Sequence, residues 1–381
     1  MNKNTVELLT GDEIIPALER MIRNAREEVY IQSYILEPDD TGNRIMDAMI
    51  EASRRNIKIN VLIDAYGSQN FKTHHKFRLR AAGIKIRRFG KLFSRGRLHI
   101  GRRLHRKVFV ADGEVAIVGG VNISNNYMTQ PGSPAWLDFA LKVRGPVAHS
   151  LMAICKRRTK LPRLKKLIKE AINQEETASA REISSISIRE NDYLRGKNEI
   201  ALSYKNAIKN SRESVLIVGG YFLPGGVMRR VIKNAVERGV RISVIVSENS
   251  DVRLLIHARR YLYKWMLKNN IRIFEYIPSN VHGKVLVVDN NFVTLGSYDL
   301  NNLSTFSNIE LNLEVNDEAF ARIMTDKLNE IIRKNCREVT LEEMKLRNTL
   351  WSRFRNWAAY QFIKTLFALS LWLANRDEKD F

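Results

Sequence analysis

The chain has 381 residues, and 63 lysines and arginines against 41 acids leave a formal charge of +22. This length holds one large domain or two ordinary ones, the 44% apolar content supplies real cores, and two distant cysteines, Cys155 and Cys336, argue against a disulfide framework. The charge calls for an anionic partner, nucleic acid or an acidic membrane surface, without choosing between them. The opening stretch MNKNTVELLTGDEI has no apolar run long enough for a signal peptide or anchor.

Apolar spacing predicts a strand over 6–9, a helix over 14–25 with Leu18, Met21, Ile22 and Ala25 on one face, and a strand over 29–36. A helix over 41–56 and a strand over 57–63 follow. The alternation favours a sheet flanked by helices. Asp64 and Tyr66 sit after a strand end, where α/β folds place sites. Asp64 either meets a substrate hydroxyl or caps a turn. A helix ends over 77–83, and 84–89 reads as a strand. Residues 85–107 contain no acid but many cations, Arg102 and Arg103 among them, interleaved with Leu92, Phe93, Leu98, Ile100 and Leu104. Such a loop suits anionic headgroups and also suits a nucleic-acid backbone. His74, His75 and His99 lack a matching Cys or carboxylate set, so neither a metal nor another cofactor is expected.

The next stretch occurs twice. His105-Arg106-Lys107 is followed after four residues by Asp112, and His282-Gly283-Lys284 after four residues by Asp289. Gly119-Gly120 follows the first copy at the distance at which Gly296-Ser297 follows the second. The residues between Lys and Asp are apolar and β-favouring, so each copy reads as a strand that puts His and Lys on one face. This pattern suits a phosphodiester. Two lysines neutralise the charge that develops on phosphorus oxygens, one histidine attacks phosphorus, and the other protonates the leaving alcohol. Asn122 is placed to donate to the phosphate.

Residues 155–169 hold eight basic residues and no acid, with leucines spaced for a basic amphipathic helix. Residues 174–199 are polar and read as a linker or mobile insertion. The second half then repeats the first. REEVYIQSY resembles RESVLIVGGY, RRNIKINVLI resembles ERGVRISVIV, and AAGIKIRRF resembles KNNIRIFEY, in consistent order. The fold class is therefore α/β: two duplicated lobes, each a mixed sheet flanked by helices, sharing one active cleft. We expect lobes over 1–150 and 199–340, with 151–198 between them. Tyr221, in the run before a helix over 227–237, either lines a substrate entrance or belongs to a structural turn. Residues 320–336 read as an amphipathic helix. Residues 341–381 form an aromatic apolar helical tail, whose stretch 357–374 suits a membrane interface or terminal packing better than a span.

The motifs HRKVFVADG…GGVN and HGKVLVVDN…GS resemble those of the phospholipase D superfamily, and LIDAYGS, LHRKVFVADG, GGYFLPG and HGKVLVVD bring the chain nearest to bacterial cardiolipin synthases without an N-terminal membrane anchor. The resemblance implies a phosphatidyltransferase that makes cardiolipin from two phosphatidylglycerol molecules through a phosphatidyl-histidine on His105, at the cytoplasmic side of a bacterial membrane and without a cofactor. It also implies that Asp138 orients His282 and that Glu310 orients His105. The alternatives are a phospholipase D-type hydrolase of lipid or nucleic acid, and a non-catalytic binding module. One departure stands out. Asp299 occupies the place after His282 that Asn122 occupies after His105. An ionised Asp only accepts hydrogen bonds, so Asp299 is expected to turn away toward a basic residue and leave Asn301 or the backbone to donate.

Overall fold

Two sheets carry the chain, and one strand order is built twice. The computed structural model describes residues 3–90, 93–94, 97–98, 102–157, 186–347 and 349–379. In the first lobe the strands are β1 (Thr5–Thr10), β2 (Glu28–Ser33), β3 (Lys58–Asp64), β4 (Lys85–Phe89), the short pair β5 (Phe93–Ser94) and β6 (Arg97–Leu98), β7 (Arg103–Leu104), β8 (Lys107–Ala111), β9 (Val115–Gly119) and β10 (Phe139–Arg144). In the second they are β11 (Ile186–Asp192), β12 (Lys197–Asn198), β13 (Ser214–Gly219), β14 (Arg241–Ser247), β15 (Arg272–Tyr276), β16 (Lys284–Val288), β17 (Phe292–Gly296), β18 (Asn308–Asn316) and β19 (Cys336–Glu338). The first sheet runs β1-β10-β9-β8-β2-β3-β4, and the second contains β11-β18-β17-β16-β13-β14-β15 in the same arrangement. In each, a parallel trio with helical crossovers (β2-β3-β4, β13-β14-β15) abuts an antiparallel meander led by the motif strand.

The motif strands β8 and β16 are buried along their whole length. Alternate residues serve two cores. Phe109 and Ala111 face the helices of the first lobe, and Leu286 and Val288 face those of the second. Val108, Val110, Val285 and Val287 face inward, into a core that both sheets share with helices Pro146–Lys156 and Glu318–Asn335. Burial on both faces is why these strands read as unbroken apolar runs. Buried ion pairs also cross between the lobes: Arg102 and Arg106 of the first reach Asp192 and Glu190 of β11.

The lobe limits differ from the expected ones. Helix Pro146–Lys156 belongs to the first lobe and β11 opens the second sheet at Ile186, so less of 151–198 is connector than its polarity suggested. The expected basic helix over 155–169 lies mostly outside the described residues, as does His99.

Asp112 and Asp289 require a correction, because the spacing had grouped them with the catalytic pairs. Each lies beyond the far end of its strand in a left-handed conformation, at φ 57° and 50°. Asp112 accepts from the backbone N–H groups of Arg26, Glu27 and Glu28 at 2.9–3.0 Å, and Asp289 from those of Arg212, Glu213 and Ser214 at 2.8–2.9 Å. Both clamp the loop that feeds the neighbouring strand, β2 or β13, which runs antiparallel to the motif strand. A short carboxylate tolerates the left-handed backbone and satisfies three donors at once. Asp289→Ala is expected to cost about 2–4 kcal/mol in urea unfolding, since charge-assisted hydrogen bonds and an easy left-handed residue are lost together. Asp289→Asn should cost less than half of that. Equal losses for both variants would show that the clamp is not what holds the turn.

Candidate active site

Each motif histidine is delivered by its own lobe and held by the other. Just before β8, β7 pairs with β18 in parallel, and the N–H groups of His105 and Arg106 both donate to the Ile309 carbonyl. Before β16, Val281 bridges to Leu137, and the N–H groups of His282 and Gly283 both donate to the Leu137 carbonyl. The backbone contacts therefore exchange across the pseudo-twofold. Gly283 is needed at its position because an added Cβ would stand 2.7 Å from the Phe139 ring.

The side chains exchange in the same way. Nδ1 of His105 lies 3.0 Å from both carboxylate oxygens of Glu310 in the second lobe. Nδ1 of His282 lies 2.8 Å from Oδ2 of Asp138 in the first lobe. The structure thus brings together both pairs that the resemblance implied. Ser297 and Asn308 donate to Glu310, at 2.5 and 3.1 Å. Asp138 accepts from the Phe139 N–H at 2.8 Å and fills the space beside Gly120, where an added Cβ would meet its oxygen at 2.4 Å. The small residues after each motif have a common purpose: Gly120 and Ser297 leave room for, or bond, the carboxylate that serves the opposite histidine.

Lys107 and Lys284 are buried, and each ammonium donates to the carbonyl of its own motif histidine, Lys107 at 2.6 Å. Each also lies over an aromatic ring, Lys107 over Tyr34 at 5.4 Å and Lys284 over Tyr221 at 5.7 Å. Tyr34 is edge-on to His105 at 5.0 Å, and Tyr221 is edge-on to His282 at 6.3 Å. Tyr221 is therefore at the site, as one of its two sequence readings had it. Tyr34 was missed, although it ends the repeat whose second copy ends at Tyr221. Tyr127 and Trp136 also pack on the His282 ring, and Tyr127 Oη lies 3.2 Å from its Nδ1. No repeated pattern in the sequence marked them.

The electrostatics are unequal. Burial pushes the Asp138 carboxyl up to about 6 against the pull of Lys284. Burial, reinforced by Lys284, Lys107 and His105, pushes His282 well below the usual imidazole range, so its resting form is neutral. Burial also raises Glu310, but His105, Lys107 and Ser297 outweigh it and leave that carboxyl below its ordinary value. Lys107 is brought down to about 7 by burial, despite Glu310 beside it.

Several expected contacts are corrected. Asp64 is buried and accepts from the N–H groups of Tyr66, Gly67 and Leu104, so it caps a turn and ties down the lead-in to β8 instead of meeting substrate. Arg102 is spent on Asp192 and on the Phe89 ring. Arg103 donates to the Gly90 carbonyl and covers Tyr66. Asn122 accepts from the Ile35 N–H at 3.1 Å and donates to Tyr127 Oη at 2.8 Å, which makes it a brace for Tyr127. Asn301 caps the helix Asn302–Phe306 by accepting from the Ser304 N–H, and its amide reaches the Tyr221 carbonyl at 3.4 Å. Asp299 does meet a basic residue, Lys284 at 3.6 Å, but it has not turned away: it is buried among the catalytic groups. Burial raises its carboxyl against Lys284 and His105. Lys284 opposes that rise without cancelling it.

Among the described residues no group of His, Cys, Asp and Glu has the arrangement of a metal centre. The site is instead two imidazole–carboxylate pairs and two ammonium groups around one point, a set able to attack a phosphodiester, protonate its leaving group and neutralise its oxygens.

Comparison with known proteins agrees. A family model described as cardiolipin synthase, PLD-like domain, matches residues 18–132 and 204–332. Cardiolipin synthase B of Escherichia coli is 30% identical over 378 residues, spanning 97% of this chain and 90% of that protein. A probable cardiolipin synthase of Bacillus subtilis is 27% identical over 85% of this chain and 66% of its own length. Among solved structures, phosphatidylserine synthase from Haemophilus influenzae superposes with a TM-score of 0.70 at 16% identity, over 96% of this chain and 93% of that one, a likeness of fold.

Proposed function

The chain belongs to the cardiolipin synthase family with phospholipase D-like domains, and on that premise we propose that it is a phosphatidyltransferase that joins two phosphatidylglycerol molecules into cardiolipin and releases glycerol. The observation that carries the chemistry is the crossed pairing, His105 with Glu310 and His282 with Asp138. Nε2 of His105 attacks the phosphorus of the first lipid. The bond from phosphorus to the glycerol headgroup breaks, and Nε2–H of His282 protonates the departing oxygen. His282, now neutral, takes the proton of a hydroxyl on the second lipid. That oxygen attacks phosphorus and expels His105. One phosphodiester replaces another, so no external energy source is needed.

The inequality of the two pairs supports this division of labour. A phosphorylated imidazole that keeps its Nδ1–H is cationic, and the firmly ionised Glu310 stabilises it. A proton shuttle works best when its own affinity lies near the working pH. Donor binding places a phosphate anion among the cations that hold His282 neutral, which raises its proton affinity when an acid is needed. Lys107 and Lys284 gain by the same anion.

The proposal is tested with the purified full chain, phosphatidylglycerol vesicles and a separate labelled oligonucleotide. Cardiolipin and glycerol in equal amounts are expected. Phosphatidic acid in place of cardiolipin would make the protein a hydrolase, and oligonucleotide cleavage would make it a nuclease. The pH dependence follows from the same groups. Asp138 must be ionised, so kcat/KM falls as pH drops through about 6. Lys107 must be cationic and His282 must take up a proton on donor binding, so kcat/KM also falls as pH rises, at the latest through about 7. The alkaline limb of kcat should lie higher, because bound phosphate favours the ammonium. Superposed alkaline limbs for kcat and kcat/KM would contradict a phosphate contact by Lys107.

A further inference from the structure

The last helix, Leu350–Lys379, packs along helix Arg253–Lys268. Ala359 and Ile363 are buried against Leu223, Ala258 and Leu262, and Tyr360 stacks on Tyr261 at 4.7 Å. The tail therefore packs at Ala359 and Ile363, as one of its expected readings had it, but aromatic side chains between 351 and 362 stay exposed. Trp351, Phe354 and Phe362 are 69%, 56% and 58% exposed, and Trp351, Phe354 and Trp357 form a ladder of rings 5.9 Å apart. Beside the ladder runs an apolar groove of about 340 Å³ between Leu254, Trp351, Phe354 and Phe362. No described helix is long and apolar enough to cross a membrane.

Next to this strip lies a cleft of about 700 Å³ walled by Arg229, Lys264, Lys268, Arg353 and Arg355. Its acids are already occupied. Glu275 is buried and bound by Arg337 and Tyr263, and Glu343 accepts from the Thr340 N–H. Arg229 stacks on Trp265 at 5.9 Å, and its buried Nε has no hydrogen-bond partner among the described residues. A surplus of cations in a concave site calls for a polyvalent anion, and an apolar groove alongside calls for a hydrocarbon attached to it.

We propose that this cleft and groove form a second anionic-phospholipid site, outside the catalytic centre, which holds the phosphate of one lipid between Arg353, Arg355 and Lys264 and an acyl chain along Trp351, Phe354 and Phe362. Its occupant is a lipid of the bilayer. Exposed tryptophan and phenylalanine beside arginine is the composition of a surface that sits at the headgroup boundary. Neither free phosphate nor nucleic acid accounts for the groove. The position fits a membrane-working enzyme. The helix rests on Leu223, two residues after the Tyr221 that faces His282, and on helix Asn302–Phe306, which follows Asp299. Seating this face on a bilayer brings the second half of the catalytic site to the membrane edge.

The test uses the full chain and vesicles of phosphatidylcholine with or without phosphatidic acid, an anionic lipid that lacks the glycerol headgroup of the proposed substrate. Arg353→Glu with Arg355→Glu should weaken sedimentation with the anionic vesicles by about thirtyfold or more, at roughly a factor of five per cation lost near the surface. Turnover of short-chain dispersed phosphatidylglycerol should be unchanged, which also reports that the variant is folded. Trp351→Ser with Phe354→Ser should reduce binding to both vesicle types. In the unaltered chain, bromine-labelled acyl chains should quench tryptophan fluorescence. Unchanged sedimentation of the charge variant would overturn the site, as would an absence of quenching in the unaltered chain. Retention of an oligonucleotide or inorganic phosphate in the cleft, without vesicle binding, would assign it to another anion. Failure of short-chain turnover in the unaltered chain would count against the catalytic reading and leave the vesicle result standing.

Discussion

His105→Ala is expected to lower cardiolipin formation by about 10⁴-fold or more, and His282→Ala by a comparable factor, because each removes a member of one covalent cycle. The two losses differ in kind. With a p-nitrophenyl phosphodiester the leaving group needs no acid. The His282→Ala protein should then release nitrophenol in a burst and retain the phosphoryl group on His105, with slow turnover afterwards. The His105→Ala protein should show no burst. Acid-quenched digests locate the label. An adduct on His282 in the His105→Ala protein would reverse the assignment of roles.

Asp138→Asn should be far more damaging than Glu310→Gln, although each replaces a carboxylate with its amide. In Asp138 one oxygen accepts from the Phe139 N–H and the other faces Nδ1 of His282. The backbone donor fixes an amide oxygen on its own side, so an asparagine would point its NH₂ at Nδ1. His282 would then carry its proton on Nε2 and have no lone pair there for the acceptor hydroxyl. A loss of about 10⁴-fold is expected, the size associated with a histidine forced into the wrong tautomer. Around Glu310 the oxygen near Asn308 must accept, but the other faces the hydroxyl of Ser297, which can turn to donate to the Leu311 carbonyl at 3.4 Å. A glutamine therefore keeps an acceptor for His105 Nδ1–H and loses mainly its charge, about 10–100-fold. Steady-state transfer rates of the two folded variants decide. Equal losses would mean that charge, not tautomer, is what Asp138 supplies.

Both predictions concern histidines held by carboxylate acceptors from the opposite lobe, and that part was not legible from residue spacing. The paired motifs, the repeated strand and helix order and the apolar runs were legible, because they are set by local periodicity and by burial of both strand faces. Tyr34 was half legible: its repeat partner Tyr221 was singled out, and equal treatment of the two copies would have found it. Arg102 and Arg103 misled because an unpaired charge in a sequence looks available, whereas Asp192 and the Gly90 carbonyl lie in wait for them in the fold.

The motif spacing itself marks the limit. The sequence alone determined that this chain is a duplicated α/β protein with two imidazole–ammonium pairs, since His and Lys two apart must share a strand face wherever that strand goes. It also presented Asp112 and Asp289 as members of the same cluster. A strand rises about 3.3 Å per residue, so five residues carry each aspartate about 17 Å from its lysine. Only the tertiary structure decided that these carboxylates clamp turns, that Asp138 and Glu310 take the place beside the histidines, and that each does so across the lobe boundary. The reason is geometric: a hydrogen bond of 3 Å between residues 144 or 205 positions apart leaves no period in the chain, and arises only when two sheets close over one shared core.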